Sequence, residues 1–110
     1  MQKGMAAEQA AADFLVAQGL QLLARNYRCR GGEIDLILRD GASLVFVEVR
    51  ERGGSGFGGA AASITATKQT RIRLAAQHYL VRHGVDMPCR FDAILVQAGN
   101  MEWLRAVMGV

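Results

Sequence analysis

The chain has 110 residues, of which 51% are hydrophobic and 21% charged, so it can build one α/β domain over residues 1–110 but lacks the core for two. No apolar run approaches the roughly 20 residues that cross a bilayer, and Glu8 and Asp13 interrupt the segment where a secretory signal would be apolar. We therefore expect a single soluble domain in the cytoplasm, with no membrane partner.

The first predicted element is a helix from Gly4 to Gly19, in which apolar residues recur with a period of 3.6 and Gly19 supplies a stop. Glu8 falls on the border of the apolar face, so its carboxylate can extend across the surface that packs on the sheet. The alternative is a first-turn glutamate that only the helix dipole favours.

A run of three strands is predicted next, at residues 20–29, 33–39 and 44–50. The following segment, 53–59, reads GGSGFGG and is predicted to be a mobile loop because so many glycines are costly to order. Its position after the third strand makes it either a lid that contacts substrate or a plain flexible connection.

A second helix is predicted from a cap at Ser63 or Thr65 to about His83. Lys68 lies within its apolar stripe, so the ammonium group is directed toward the sheet. A snorkelling lysine would occupy the same position without a function. Two closing strands, at residues 90–97 and 101–107, complete the order αβββαββ.

Carboxylates interrupt two strands that are otherwise built from Ile, Leu, Val and Phe. Strict alternation groups Glu33 and Asp35 with Ile37 in the second strand, and Glu48 with Arg50 in the third. A two- or four-residue loop between these strands puts Asp35 and Glu48 on the same side, whereas an unbulged three-residue loop would separate them. We expect the even loop.

Two converging carboxylates beside a cation suit a hard divalent metal, because Mg²⁺ and Mn²⁺ prefer oxygen ligands and fill their remaining positions with water and phosphate. This interpretation makes Asp35 and Glu48 metal ligands. The alternative is an acidic pair that Arg50 and Lys68 neutralise as a buried ion network.

Basic residues surround these strands, and all but Lys3 and Lys68 of the 13 cations are arginines, with a net charge of +3. Arginine suits phosphate because its planar guanidinium donates two parallel hydrogen bonds. We expect a surface that follows nucleic-acid phosphates, or alternatively a solvated basic face without a partner. The arginines concerned are Arg25, Arg28, Arg30, Arg52, Arg71 and Arg73.

A combination of motifs covers nearly the whole chain. The runs GEIDLI and VFVEV, the second followed by Arg50 and Arg52, precede a glycine-rich loop with FG, a lysine that opens the next helix, and the run RFDAI. In this combination the sequence resembles the YraN family of uncharacterised bacterial proteins. The resemblance implies a restriction-endonuclease-like fold, with a mixed central sheet flanked by helices, similar in its core to archaeal Holliday-junction resolvases.

The resemblance also implies a nuclease site of the PD-(D/E)xK type. The matching residues are Asp35 for the strand aspartate, Glu48 and Arg50 for the E-x-K pair, Glu8 for an acidic residue and metal ligand on the first helix, and Glu33 within the GEID run. Glu33 is expected to support the metal ligands without binding the metal itself. The family usually has Lys where this chain has Arg50, and an arginine does not release its proton to act as a base. We therefore expect Arg50 to hold a phosphate oxygen, with Lys68 as the alternative replacement for the missing lysine.

These implications lead to a metal-dependent DNA endonuclease that uses Mg²⁺ or Mn²⁺ on branched, damaged or single-strand-containing DNA in repair or recombination. A homodimer is expected because resolvase-like enzymes act as dimers, although no segment of the sequence marks an interface. The first alternative is a non-catalytic nucleic-acid-binding module, in which the carboxylates are dispensable. The second is an interaction protein whose apolar sheet edge pairs with a partner.

Overall fold

The computed structural model describes residues 5–52 and 64–109, so the predicted loop at 53–59 and Ser63 lie outside the described residues. The elements are α1 (Met5–Ala17), β1 (Gln21–Cys29), β2 (Gly32–Asp40), β3 (Ser43–Arg52), α2 (Ala66–His83), β4 (Cys89–Gln97) and β5 (Asn100–Met108). Their order confirms the predicted αβββαββ arrangement. Within the described part of the chain, no helix is both long and apolar enough to cross a membrane.

A single five-stranded sheet forms the centre of the molecule, in the order β1-β2-β3-β4-β5. β3 and β4 are parallel and the other neighbours are antiparallel, so the sheet is mixed as predicted. Each face is covered by one helix: Ile72 of α2 packs with Phe46 on one side, and Leu15 of α1 packs with Val47 on the other. This α/β architecture is confirmed and is compatible with a restriction-endonuclease-like fold.

The hairpin of β2 and β3 brings the strand carboxylates together. Asp40 pairs with Ser43, so the loop between them has two residues, and the predicted even loop is confirmed. The ladder continues to Leu36 and Val47 at the other end. The next position toward the open end of the hairpin places Asp35 opposite Glu48.

Strict alternation in β2 is broken at Asp35. Alternation from Ile37 would put Ile34 on the opposite face, yet both isoleucines belong to the apolar cluster on the α2 side. Alternation therefore fails at Ile34, whereas Glu33 contacts Arg71 of α2, on the side where the sequence groups it with Asp35 and Ile37. The physical reason is that the β2–β3 ladder begins only at Leu36, because Asp35 itself accepts a main-chain N–H of β3.

The approach of α2 to β2 depends on Gly32. A Cβ at this position would come within 2.5 Å of the carbonyl oxygen of Arg71 and 2.9 Å of the main-chain nitrogen of Ala75. Only glycine allows this contact without a shift of the helix. The N-terminus of α2 is fixed by Thr65, whose Oγ1 accepts the Lys68 N–H at 3.1 Å. Together these contacts hold the first turns of α2 against the start of β2.

Candidate active site

Asp35 lies at the open end of the β2–β3 hairpin, where its Oδ2 accepts the Val49 N–H at 2.8 Å. Burial raises the pKa of Asp35 to about 7, the negative charges of Glu48 and Glu8 raise it as well, and the Val49 N–H and Lys68 partly oppose them. Asp35 therefore changes its charge near neutral pH. Carboxyls perturbed by burial and by a second acid are typical of functional sites.

Glu48 follows the hydrophobic run of β3 and is only 6% exposed. Its Oε2 lies 2.9 Å from the Nζ of Lys68, which α2 brings to the sheet. The prediction that Lys68 is directed toward the sheet is confirmed. A buried carboxylate is costly without such a partner, and Lys68 supplies one for Glu48.

The site opens into a cavity of about 240 Å³, and residues of α1, β3 and α2 line it. Its lining residues are Ala7, Glu8, Glu48, Val49, Arg50, Glu51 and Lys68. The structure thus brings Glu8 and Arg50 beside Glu48, as the sequence predicts. Glu51 was missed, because strict alternation directs it away from Glu48, and only the end of the strand lets residues of both faces border one cavity.

A metal ion would find two strong ligands here rather than three. Among residues 5–52 and 64–109, no three His, Cys, Asp or Glu side chains converge closely enough to hold an ion. Glu8 acts on Asp35 through its charge. Any further ligands would have to be water or substrate oxygens, in the manner common for Mg²⁺.

Glu33 borders a second cavity of about 330 Å³, which adjoins the first at Lys68. Its carboxylate lies 3.5 Å from the Nη2 of Arg71. This contact joins Glu33 to a cation of α2 rather than to Asp35 or Glu48, so its predicted role in supporting the metal ligands stays a prediction.

The predicted arginine surface is distributed over both sides of the sheet. Arg25 of β1 donates to Gln9 of α1 at 2.7 Å, whereas Arg73 of α2 donates to the Gly109 carbonyl at 3.0 Å. Arg28 and Arg30 are exposed at the end of β1, and Arg52 ends β3. Of the predicted nucleic-acid-binding arginines, the structure brings Arg71 beside the candidate site, through the cavity that it shares with Lys68.

A buried aspartate, Asp92, escaped the sequence analysis. Its carboxylate is fully enclosed and accepts hydrogen bonds from Arg90 Nε at 3.1 Å, Trp103 Nε1 at 3.0 Å and the Ala106 N–H at 2.9 Å. Arg90 also reaches Asp40 at 2.8 Å. These partners satisfy the Asp92 carboxylate within the fold. They also hold β5 in place where its pairing with β4 is irregular. The available signal was an Asp two residues after an Arg inside an apolar strand.

Comparison with known proteins gives a consistent result. The model of a family described as uncharacterised protein family UPF0102 matches residues 7–96. A UPF0102 protein of Nitrosomonas europaea is 58% identical over 106 residues, which cover 94% of this chain and 90% of the relative. A UPF0102 protein of Cupriavidus necator is 54% identical over 105 residues, with 94% of this chain and 79% of the relative covered.

Proposed function

Because the chain belongs to the uncharacterised protein family UPF0102, we propose a function from the site itself: metal-dependent hydrolysis of a DNA phosphodiester. The observation that supports this best is the buried pair of Asp35 and Glu48 in one site, where burial and Glu48 raise the pKa of Asp35 to about 7. A fold gains nothing in stability from two acids so placed. Their placement is explained if the two acids bind a cation that the reaction requires.

The residues present fit a hard divalent ion. Asp35 and Glu48 offer carboxylate oxygens, the donors that Mg²⁺ and Mn²⁺ prefer. A divalent cation held by Asp35 and Glu48 would relieve the repulsion that raises the pKa of Asp35. Glu8 completes the acidic environment from α1. The bound ion supplies a Lewis acid that polarises phosphoryl oxygens and lowers the pKa of water.

The two cations of the first cavity suit the phosphate. Arg50 lines this cavity and forms no ion pair among the described residues, so its guanidinium is available to a non-bridging phosphate oxygen. Lys68 is paired with Glu48 at 2.9 Å, and its ammonium would be able to donate to a phosphate oxygen if that carboxylate held a metal ion. Neither residue has to lose a proton in this scheme.

The substrate class follows from the resemblance to resolvases alone. We propose branched, damaged or single-strand-containing DNA, cut in repair or recombination, with the protein acting as a homodimer. This part rests on analogy between folds, which do not determine substrates. It is therefore tested separately from the site.

Calorimetric titration of Mn²⁺ tests the metal site. Asp35→Asn and Glu48→Gln preserve the shape of each side chain and remove a ligand charge, so each should weaken Mn²⁺ binding at least about tenfold. Asp86→Asn, an exposed acid between α2 and β4, is the matched control and should bind as the wild type does. Identical titrations for the wild type and Asp35→Asn would show that the proposed site is not there.

Cleavage of a labelled nicked or branched duplex with Mn²⁺ tests the reaction. The wild type should cut it, and Asp35→Asn should not. Arg50→Lys should keep the rate within about tenfold or raise it, since a tenfold change is only about 1.4 kcal/mol of barrier. If neither the wild type nor Arg50→Lys cuts any of these duplexes, the catalytic proposal is wrong.

A non-catalytic nucleic-acid-binding module is the second candidate. It is favoured by the ion pair of Lys68 and Glu48, which neutralises one acid without a metal, and by the missing third ligand among the described residues. For either function, DNA affinity should fall steeply with salt, and Arg25→Ala or Arg28→Ala should flatten that dependence. Only the binding module predicts that Asp35→Asn leaves both affinity and its response to Mn²⁺ unchanged.

A further inference from the structure

The second cavity, of about 330 Å³, lies directly beside the candidate active site. Its lining residues are Glu33, Thr65, Thr67, Lys68, Arg71 and Ile72. Lys68 lines both cavities, so they adjoin at this side chain. A strand with one phosphate over Asp35 and Glu48 would therefore have the second cavity as a neighbouring site across Lys68.

The charges of the second cavity favour an anion. Its cations are Lys68 and Arg71 and its carboxylate is that of Glu33. Because Lys68 is also paired with Glu48 at 2.9 Å, Arg71 is the cation that a ligand would engage. Glu33 and Arg71 approach only to 3.5 Å, and their side chains are 46% and 48% exposed. An ion pair that is long and half in water contributes little, because solvent screens it. A ligand can therefore displace it at low cost.

Phosphate chemistry suits these groups. Arg71 can donate two parallel hydrogen bonds to a phosphate, a geometry that the single contact with Glu33 does not use. Thr67 is exposed on the same wall and carries a hydroxyl that can donate to a third oxygen. Ile72 supplies an apolar floor that suits a sugar rather than a second charge.

We propose that the second cavity binds the backbone phosphate adjacent to the one held over Asp35 and Glu48, and that this phosphate displaces Glu33 from Arg71. The inference rests on the proposed function for the position of the first phosphate. Glu33 acts as an internal competitor, since it lowers affinity for any strand whose backbone cannot reach Arg71. The bound strand then crosses Lys68 and continues along the first turns of α2.

A double-mutant cycle on binding tests this without any cleavage. Fluorescence anisotropy of a labelled single-stranded oligodeoxynucleotide in EDTA gives the affinities of the wild type, Glu33→Gln, Arg71→Ala and the double mutant. Arg71→Ala should weaken binding about fivefold or more and reduce the salt dependence by about one ion. Glu33→Gln should tighten binding about threefold or more, and this gain should vanish when Arg71 is absent.

Controls separate a specific contact from a change in net charge. Arg82→Ala, in the last turn of α2, and Asp86→Asn, just beyond that helix, carry the same charge changes away from the cavity. Arg82→Ala should change affinity less than Arg71→Ala, and Asp86→Asn less than Glu33→Gln. The effects of the two control substitutions on affinity should be additive when they are combined. If Glu33→Gln tightens binding equally with and without Arg71, the displacement of Glu33 is refuted.

Competition distinguishes a strand from a free phosphate. Inorganic phosphate should compete poorly with the oligonucleotide, and Arg71→Ala should not change its effect. If inorganic phosphate displaces the strand efficiently, and does so only with Arg71 present, the cavity is a free-anion site and the strand proposal is wrong. The binding cycle and the cleavage assay can fail separately. If the effects of Glu33→Gln and Arg71→Ala on affinity are coupled but the protein cuts no DNA, the nuclease proposal is refuted and the second phosphate contact is supported. If the protein cuts DNA but the two effects are not coupled, only the second contact is refuted.

Discussion

Replacing Asp35 with asparagine should stabilise the protein above neutral pH. Its pKa is about 7 in the folded state, against an ordinary value of 3.8, so the fold disfavours the charged carboxylate. At about 1.4 kcal/mol per pH unit, this difference corresponds to roughly 4 kcal/mol of stability lost when Asp35 is ionised. The amide oxygen of the asparagine can still accept the Val49 N–H, so the substitution itself should lower the free energy of unfolding only slightly.

The pH dependence has a definite sign. Well below pH 3.8 the carboxyl is protonated in both the folded and the unfolded chain, and the cost is absent. Between about pH 4 and pH 7 the unfolded chain releases the proton and the folded one keeps it, so the stability of the wild type falls as pH rises. Above about pH 7 both states are ionised and the difference is constant.

Urea unfolding at about pH 4, pH 6 and pH 8 measures this effect. Asp35→Asn should be within about 1 kcal/mol of the wild type at the lowest pH and exceed it by about 2–4 kcal/mol at the highest, whereas Asp86→Asn should follow the wild type throughout. Adding Mn²⁺ at pH 8 should remove most of the difference, because the bound ion compensates the charge. A variant that is less stable than the wild type at pH 8, or a difference that does not depend on pH, would refute the reasoning.

Three further substitutions address the cation and the frame of the site. Lys68→Met keeps the alkyl chain and removes the charge, so it should lower the proposed single-turnover cleavage about a hundredfold; a rate within about threefold of the wild type would contradict its role. Gly32→Ala should lower the free energy of unfolding in urea by at least about 2 kcal/mol, because the methyl would come within 2.5 Å of a main-chain oxygen, whereas Gly109→Ala, with its nearest atom at 4.0 Å, should be nearly neutral. Asp92→Ala should destabilise by about 3 kcal/mol or more, since it leaves partly buried donors unpaired, and unchanged unfolding midpoints would contradict this.

The sequence predicted the fold because its signals are local. Gly19 ends the first helix, the two-residue loop of the β2–β3 hairpin sets the register, and hydrophobic alternation marks each strand. That register alone brings Asp35 opposite Glu48. The same alternation failed for Ile34. Next to it the Asp35 side chain replaces a main-chain acceptor for the Val49 N–H, and no sequence pattern predicts that exchange.

The contacts between distant elements could not be predicted in the same way. The sequence favoured Arg50 over Lys68 as the cation of the site, because Lys68 follows a glycine-rich segment. The structure places Lys68 at 2.9 Å from Glu48, since the close packing of α2 on Gly32 fixes the helix against β2. The satisfied partners of Asp92 likewise come from β5, which its own sequence neighbourhood does not reveal.

The β2–β3 hairpin also has a consequence for how the chain reaches its native state. Its pairing is short in sequence, so it closes at little entropic cost and can form early. The acids Asp35 and Glu48 then meet before α2 delivers the ammonium of Lys68 from further along the chain. At neutral pH Asp35 is ionised in the unfolded chain, so the hairpin closes against the repulsion of Glu48, and Asp35 takes up a proton only as the docking helices bury it and raise its pKa.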